Sequence, residues 1–215
     1  MRTLSVETTA HGRVLIEDAA DSFSGRLLVG FHGYGQGAET MLEELRRIPG
    51  ADGWRKVAVQ ALHRFYTRGD QAVVASWMTR EDRDEAIADN IRYVDRAVGE
   101  TGGEDSSTIV FLGFSQGASM AARAAAFGRR QATGLILLAG DLPPDVKADP
   151  KVRLPPTLIG VGSAETWYTP TKTEADAAWL RERGIAHEIV RFAGGHEFTD
   201  EFRDAVGRWL ARASP

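Results

Sequence analysis

Short β-branched and Leu-rich runs alternate with helical periodicity through most of this chain, and that alternation constrains the fold more than any other feature. Arg26–Phe31, Lys56–Ala61, Thr108–Leu112, Leu135–Ala139 and Thr157–Val161 read as buried strands. Each is followed by a Gly, Pro or polar loop and, in most cases, by a helical pattern. In Glu81–Val98 the apolar residues Ile87, Ile91, Val94 and Val98 fall on one helical face, with Arg83, Asp84, Asp89 and Arg96 around the rest. Thr199 is placed to cap a C-terminal helix whose first turn carries Asp200 and Glu201, the charge sign that the helix dipole favours there. Its inward face is Phe202, Val206, Trp209 and Leu210. Strand, crossover helix, strand in repetition predicts an α/β fold, a mostly parallel central sheet with helices on both faces. Leu4–Thr8 and Arg13–Glu17, joined by His11-Gly12, are expected to form an antiparallel hairpin at the sheet edge. Asp141–Pro156 reads as a long loop between strands, and residues 1–215 as a single domain.

Composition narrows the function classes. Twenty-six Lys and Arg against 30 Asp and Glu give a net charge of −4 with no basic block, which argues against nucleic acid or anionic membrane as the main partner. The chain has no cysteine, which excludes disulfides, thiolate zinc sites and thiol catalysis. Its five histidines show no metal-ligand spacing, so neither metal nor other cofactor is expected. The N-terminal stretch lacks the apolar core of a secretory signal, and no apolar run is long enough to span a bilayer; a soluble, cytoplasmic protein is expected.

Parallel sheets place ligand sites at the carboxyl ends of their strands. After Thr108–Leu112 comes Gly113-Phe114-Ser115-Gln116-Gly117 and then the helix-prone Ala118–Phe127: G-x-S-x-G in the strand–turn–helix setting that gives the motif meaning. Such a turn strains Ser115 and projects its hydroxyl above the sheet, while a Cβ at Gly113 or Gly117 would collide with a neighbouring strand or helix. A serine nucleophile needs a base and a group to orient that base. His196, in Gly194-Gly195-His196-Glu197 after a strand-like run at Ala186–Phe192, is the strongest base candidate. His11 and His187 read as structural, whereas His32 and His63 each follow a strand and could line the site. Glu165, just beyond Thr157–Val161, is the favoured orienting acid, and Asp141, directly after Leu135–Ala139, is its competitor. Ser115, Glu165, His196 is the nucleophile–acid–base order of α/β-hydrolases. Two backbone N–H groups should hold the developing oxyanion: that of Gln116, at a helix N-terminus, and that of Tyr34, in the Gly-rich His32–Gly37 loop.

Phe31-His32-Gly33-Tyr34-Gly35, Gly-Phe-Ser-Gln-Gly and Gly194-Gly195-His196-Glu197 together resemble the phospholipase/carboxylesterase family of α/β-hydrolases, which includes bacterial carboxylesterases and acyl-protein thioesterases. The likeness runs from about Leu27 to the C-terminus. It implies an α/β-hydrolase fold without a large cap domain, Ser115 as nucleophile, His196 as base, and Tyr34 and Gln116 as oxyanion donors. It favours Glu165 over Asp141, although the family usually carries Asp there, so Glu165 has one extra methylene to fit. The implied activity is hydrolysis of small to medium carboxylic esters, with thioesters, lysophospholipids and lactones as alternatives on the same residues. A non-catalytic binding protein of this fold is the further alternative. A nucleotide site at Gly33, Gly35 and Gly37 is disfavoured, because their spacing is G-x-G-x-G. Of the aromatics near the strand ends, Trp77, Trp167 and Tyr168 are expected in the substrate pocket, and Trp54, Trp179 and Trp209 in packing.

Overall fold

The computed structural model describes residues 2–20, 25–103 and 105–213. In chain order the elements are β1 (Arg13–Glu17), β2 (Arg26–Phe31), α1 (Ala38–Arg46), β3 (Arg55–Gln60), β4 (His63–Tyr66), β5 (Val73–Ser76), α2 (Arg83–Val98), β6 (Thr108–Phe114), α3 (Gln116–Phe127), β7 (Gly134–Leu138), α4 (Pro144–Ala148), β8 (Thr157–Gly162), α5 (Pro170–Glu182), β9 (His187–Phe192) and α6 (Asp200–Ala213). Seven strands form one sheet in the order β1-β3-β2-β6-β7-β8-β9. All neighbours are parallel except β1 with β3.

Side chains of consecutive strand residues point to opposite faces, and the core divides accordingly. Leu27, Val29, Phe31, Ile109 and Phe111 pack with α2, α3 and α5 on one face. Leu28, Val110, Leu112 and Phe114 pack with α1 and α6 on the other. The strand order reverses at β2: the chain first steps outward to β3, then crosses back to β6 and proceeds the other way. Loops leaving β2 and β6 therefore diverge from adjacent strand ends, with Phe31 level with Gly113. This is the crevice where an open parallel sheet binds its ligands.

Two expectations need correction. The antiparallel edge strand is present, but Arg13–Glu17 pairs with β3 and not with Leu4–Thr8. Residues 4–8 form no strand, and Leu4 and Val6 stand 75% and 72% exposed. A parallel β3 left at the sheet edge would keep unpaired N–H and C=O groups; β1 satisfies them and becomes the edge strand itself. The Tyr93 ring lies where a Cβ on Gly12 would stand, and its hydroxyl donates to Arg13 O at 2.8 Å, fixing where the strand begins. Second, the long Asp141–Pro156 loop contains the short helix α4, which starts at a proline and buries Val146.

The β4–β5 hairpin is an addition to the strand–helix repeat. It is stitched to the loop after β2 by Gly35 N–H to Ala75 O (3.0 Å) and Ala75 N–H to Gln36 O (2.9 Å).

Candidate active site

Ser115 occupies the bend between β6 and α3 with φ 55° and ψ −120°, a conformation in which an L-residue is strained. Its neighbours show why the bend needs glycine on both sides. A Cβ on Gly113 would stand 2.2 Å from Gly117 O, and one on Gly117 would stand 2.1 Å from Phe31 O. Both obstacles are backbone and cannot swing aside. The Ser115 N–H donates to Leu138 O at 2.9 Å, so β7 also fixes the bend.

His196 reaches this serine from the loop between β9 and α6. Its Nε2 lies 2.8 Å from Ser115 Oγ, and its Nδ1 lies 2.7 Å from Glu165 Oε2. The ring rests against Phe114, 5.0 Å between centroids. Gly162, at the end of β8, lets the two loops meet, because a Cβ there would stand 2.5 Å from both Gly194 O and Gly195 O. Ala164 N–H then donates to Gly194 O at 2.8 Å, and Ser163 N–H to Phe192 O at 2.9 Å. The loop that carries Glu165 and the loop that carries His196 are thus joined at several points.

The Glu165 side chain is fully buried, yet each oxygen has a partner. Oε1 accepts from Trp167 N–H at 2.7 Å and more loosely from Tyr168 N–H at 3.4 Å, leaving Oε2 for the imidazole. Burial pushes its pKa up; the Trp167 N–H, His196 and the Tyr168 N–H outweigh that and hold it below the usual carboxylate value. Glu165 therefore stays ionised. The extra methylene relative to Asp is absorbed because the loop curls its own amides back onto the carboxylate.

Asp141 stands elsewhere, in the wall of a cavity beside Ser115, and its backbone O accepts from Ser119 Oγ at 3.1 Å. Only Glu165 meets His196. The N–H groups of Tyr34 and Gln116 find no acceptor among the described residues, although both residues border the same cavity. Two donors without a partner, on residues that border the serine's cavity, suit an oxyanion. The Gln116 side chain serves a separate, structural purpose. Its Oε1 accepts from Trp77 N–H at 2.8 Å and its Nε2 donates to Met78 O at 3.0 Å, which ties the start of α3 to the segment after β5.

The cavity measures about 480 Å³ and is walled by Tyr34, Ala139, Trp167, Tyr168 and Lys172 among others. Trp167 is 75% exposed at its rim, and Tyr168 is nearly buried, with its hydroxyl donating to Asp176 Oδ2 at 3.0 Å. Trp77 does not line it. That indole is fully buried against Phe31 and His32, and its Nε1–H donates to His32 O at 2.9 Å. His32 is likewise internal: Ala61 N–H donates to its Nε2 at 3.0 Å, and Nδ1 faces Gly33 O at 2.8 Å. Burial lowers its pKa, so the ring remains neutral and fixes the start of the Tyr34 loop. His63 is exposed on β4. Sequence reasoning did not anticipate Ser119 and Lys172 in the cavity wall; they stand on helices, and no strand-end signal marks them.

Comparison with known proteins follows the same lines. A family model described as phospholipase/carboxylesterase matches residues 21–159. No curated protein matches the sequence. Among solved structures, a carboxylesterase from Mesorhizobium loti is similar at 23% identity and TM-score 0.74, over 95% of this chain and 94% of that one. A Bacillus cereus carboxylesterase is 16% identical with TM-score 0.71, over 95% of each chain. An acyl-protein thioesterase 2 from Zea mays is 19% identical with TM-score 0.73, over 94% of this chain and 99% of that one. At these identities the structural likeness is one of fold.

Proposed function

The chain belongs to the phospholipase/carboxylesterase family of α/β-hydrolases, and from that premise we propose that it is a serine hydrolase cleaving carboxylic esters of small to medium acyl chains through an acyl-enzyme on Ser115. One observation carries the reading: an unbroken hydrogen-bonded relay from Ser115 Oγ through both nitrogens of His196 to the buried Glu165 carboxylate, with separations of 2.8 and 2.7 Å.

Glu165 accepts a hydrogen bond from the Nδ1–H of His196, which leaves the Nε2 lone pair aimed at the serine hydroxyl. As Oγ bonds to the ester carbonyl carbon, Nε2 takes its proton. The carboxylate, already ionised, stabilises the imidazolium without gaining a proton itself. Charge moving onto the carbonyl oxygen meets the N–H groups of Tyr34 and Gln116; such donors are worth about 3–4 kcal/mol each in comparable sites. The tetrahedral species collapses, and the alcohol leaves with the proton from Nε2. Water then attacks the acyl-enzyme by the same route, giving the acid and free serine. The cavity opens between loops, with no inserted lid between β6 and α6, and this supports short or medium acyl groups over long ones.

A fluorophosphonate probe should label the native protein at Ser115 and fail to label Ser115→Ala, and the native protein should hydrolyse p-nitrophenyl acetate. A folded native protein that neither takes up the probe nor releases p-nitrophenolate would refute the reading in favour of a binding protein on the same fold.

A further inference from the structure

A second cavity of about 300 Å³ adjoins the first across His196. Its lining includes Gln36, Thr40, Glu44, Arg47, Glu197 and Arg203, and it touches His196 but not Ser115. The two cavities therefore differ in which member of the relay they reach. The first borders Ser115, Gln116 and Tyr34 and has a mostly apolar wall, in which Ser119, Asp141 and Lys172 are the other polar members. The second borders His196 alone of the relay and is walled mainly by polar and charged residues, with three apolar ones among them.

We infer that the second cavity binds the alcohol half of the ester, and that this half is a polar, hydroxyl-bearing alcohol. The assignment rests on the ester-hydrolase reading above and follows from what each half must touch. An acyl group is bonded to Ser115 Oγ in the intermediate, so its chain must occupy space that borders the serine. The alcohol is never bonded to Ser115, yet its oxygen must receive the Nε2 proton as it leaves. Its remainder must then extend past the imidazole. The second cavity is the space that borders the base without bordering the nucleophile. Its floor resists collapse: Arg203, 4% exposed, donates to Glu44 Oε2 from Nε at 2.8 Å and to Phe198 O from Nη2 at 3.4 Å. An alkyl alcohol there would desolvate Gln36, Glu44 and Glu197 without return, whereas hydroxyls replace the lost water contacts.

Microscopic reversibility makes the alcohol-leaving site the acceptor site for acyl transfer. An incoming alcohol gives its O–H proton to Nε2, its oxygen bonds to the acyl carbon, the acyl–Oγ bond breaks, and Ser115 regains its proton from His196. The test is the partition of a common acyl-enzyme, formed from p-nitrophenyl butyrate, between water and added glycerol or 1-propanol. Glycerol should capture the acyl group more efficiently than 1-propanol, after correction for its number of primary hydroxyls. Filling the second cavity with Thr40→Trp, an exposed position on α1, should lower the glycerol-to-water partition about tenfold, the size of a lost pocket contact. Thr40→Phe should act in the same direction. Ser119→Phe, which narrows the first cavity, should instead shift the acyl-length preference. Equal capture of the two alcohols, or a glycerol partition unmoved by both Thr40 substitutions, would overturn the assignment. It would leave the esterase reading intact, because p-nitrophenolate release reports that reading separately. A protein releasing no p-nitrophenolate would sink both.

Discussion

Replacing Glu165 by Gln separates the role of its charge from its role in packing, because the amide has nearly the same shape. Oε1 would still accept the Trp167 N–H, now 2.7 Å away, so the loop after β8 keeps its local fold. The position now 2.7 Å from His196 Nδ1 would hold an NH2 group, a donor where the imidazole needs an acceptor. The ring would respond by moving its proton to Nε2, which faces Ser115 Oγ at 2.8 Å. A protonated Nε2 cannot accept the serine proton. Such a tautomer error costs about 10⁴ in kcat in serine hydrolases, which is about 5 kcal/mol of transition-state stabilisation. Stability should change less, by about 1.5–3 kcal/mol, the worth of one hydrogen bond to a charged group. Asp141→Asn provides the comparison, since Asp141 lines the cavity without meeting His196. Its kcat on p-nitrophenyl acetate should stay within about threefold of wild type, a range small beside the tautomer effect. The assay is steady-state hydrolysis of that ester on variants shown by thermal melting to be folded. Glu165→Gln retaining a tenth or more of wild-type kcat would refute the reasoning, as would an equal loss in Asp141→Asn.

Tyr168→Phe removes the hydroxyl that donates to the buried Asp176 at 3.0 Å, a contact that braces the same loop from below. Denaturant unfolding should show a loss of about 1–2 kcal/mol, and kcat should fall a few-fold with KM nearly unchanged; a raised KM with kcat intact would place Tyr168 in binding instead. His32 gives a pH dependence of stability. Burial holds its folded pKa below the ordinary 6.5, so the unfolded chain takes up a proton that the folded chain refuses. Its contribution is full above pH 6.5 and is lost as pH falls from there toward the folded value, at no more than about 1.4 kcal/mol per pH unit. The stability gap between wild type and His32→Gln, from denaturant midpoints at pH 7.5 and 5.5, should narrow at the lower pH; a constant gap would show that His32 titrates alike in both states.

The parts of this fold legible from sequence are those whose cause is local. Gly113 announces the Ser115 bend because the collision it avoids is with the helix that begins three residues later. Gly117 belongs to the same short motif, although the backbone it clears is that of Phe31 and His32 in the neighbouring strand and its loop. Buried strands announce themselves by composition, and five of them are found within a residue or two of where periodicity puts them. Failures occur where a distant partner decides the outcome. Leu4–Thr8 looks no less strand-like than Arg13–Glu17, yet β3 has one open edge and accepts one strand. Trp77 follows a strand end as Trp167 does; it turns inward because His32 O lies within reach of its Nε1–H, whereas Trp167 is held at the surface by its own amide bond to Glu165. His32 and His196 both stand in Gly-rich loops after parallel strands, and although the sequence ranks His196 first as a base, it does not reveal that His32 is buried away from the site. What separates them is the group facing each ring: a backbone amide from Ala61 locks one as a neutral structural element, and a carboxylate locks the other with its lone pair toward a serine. A histidine's role is thus set by its partner across the fold, which is why the Glu165 substitution tests the site more sharply than any change to His196 itself.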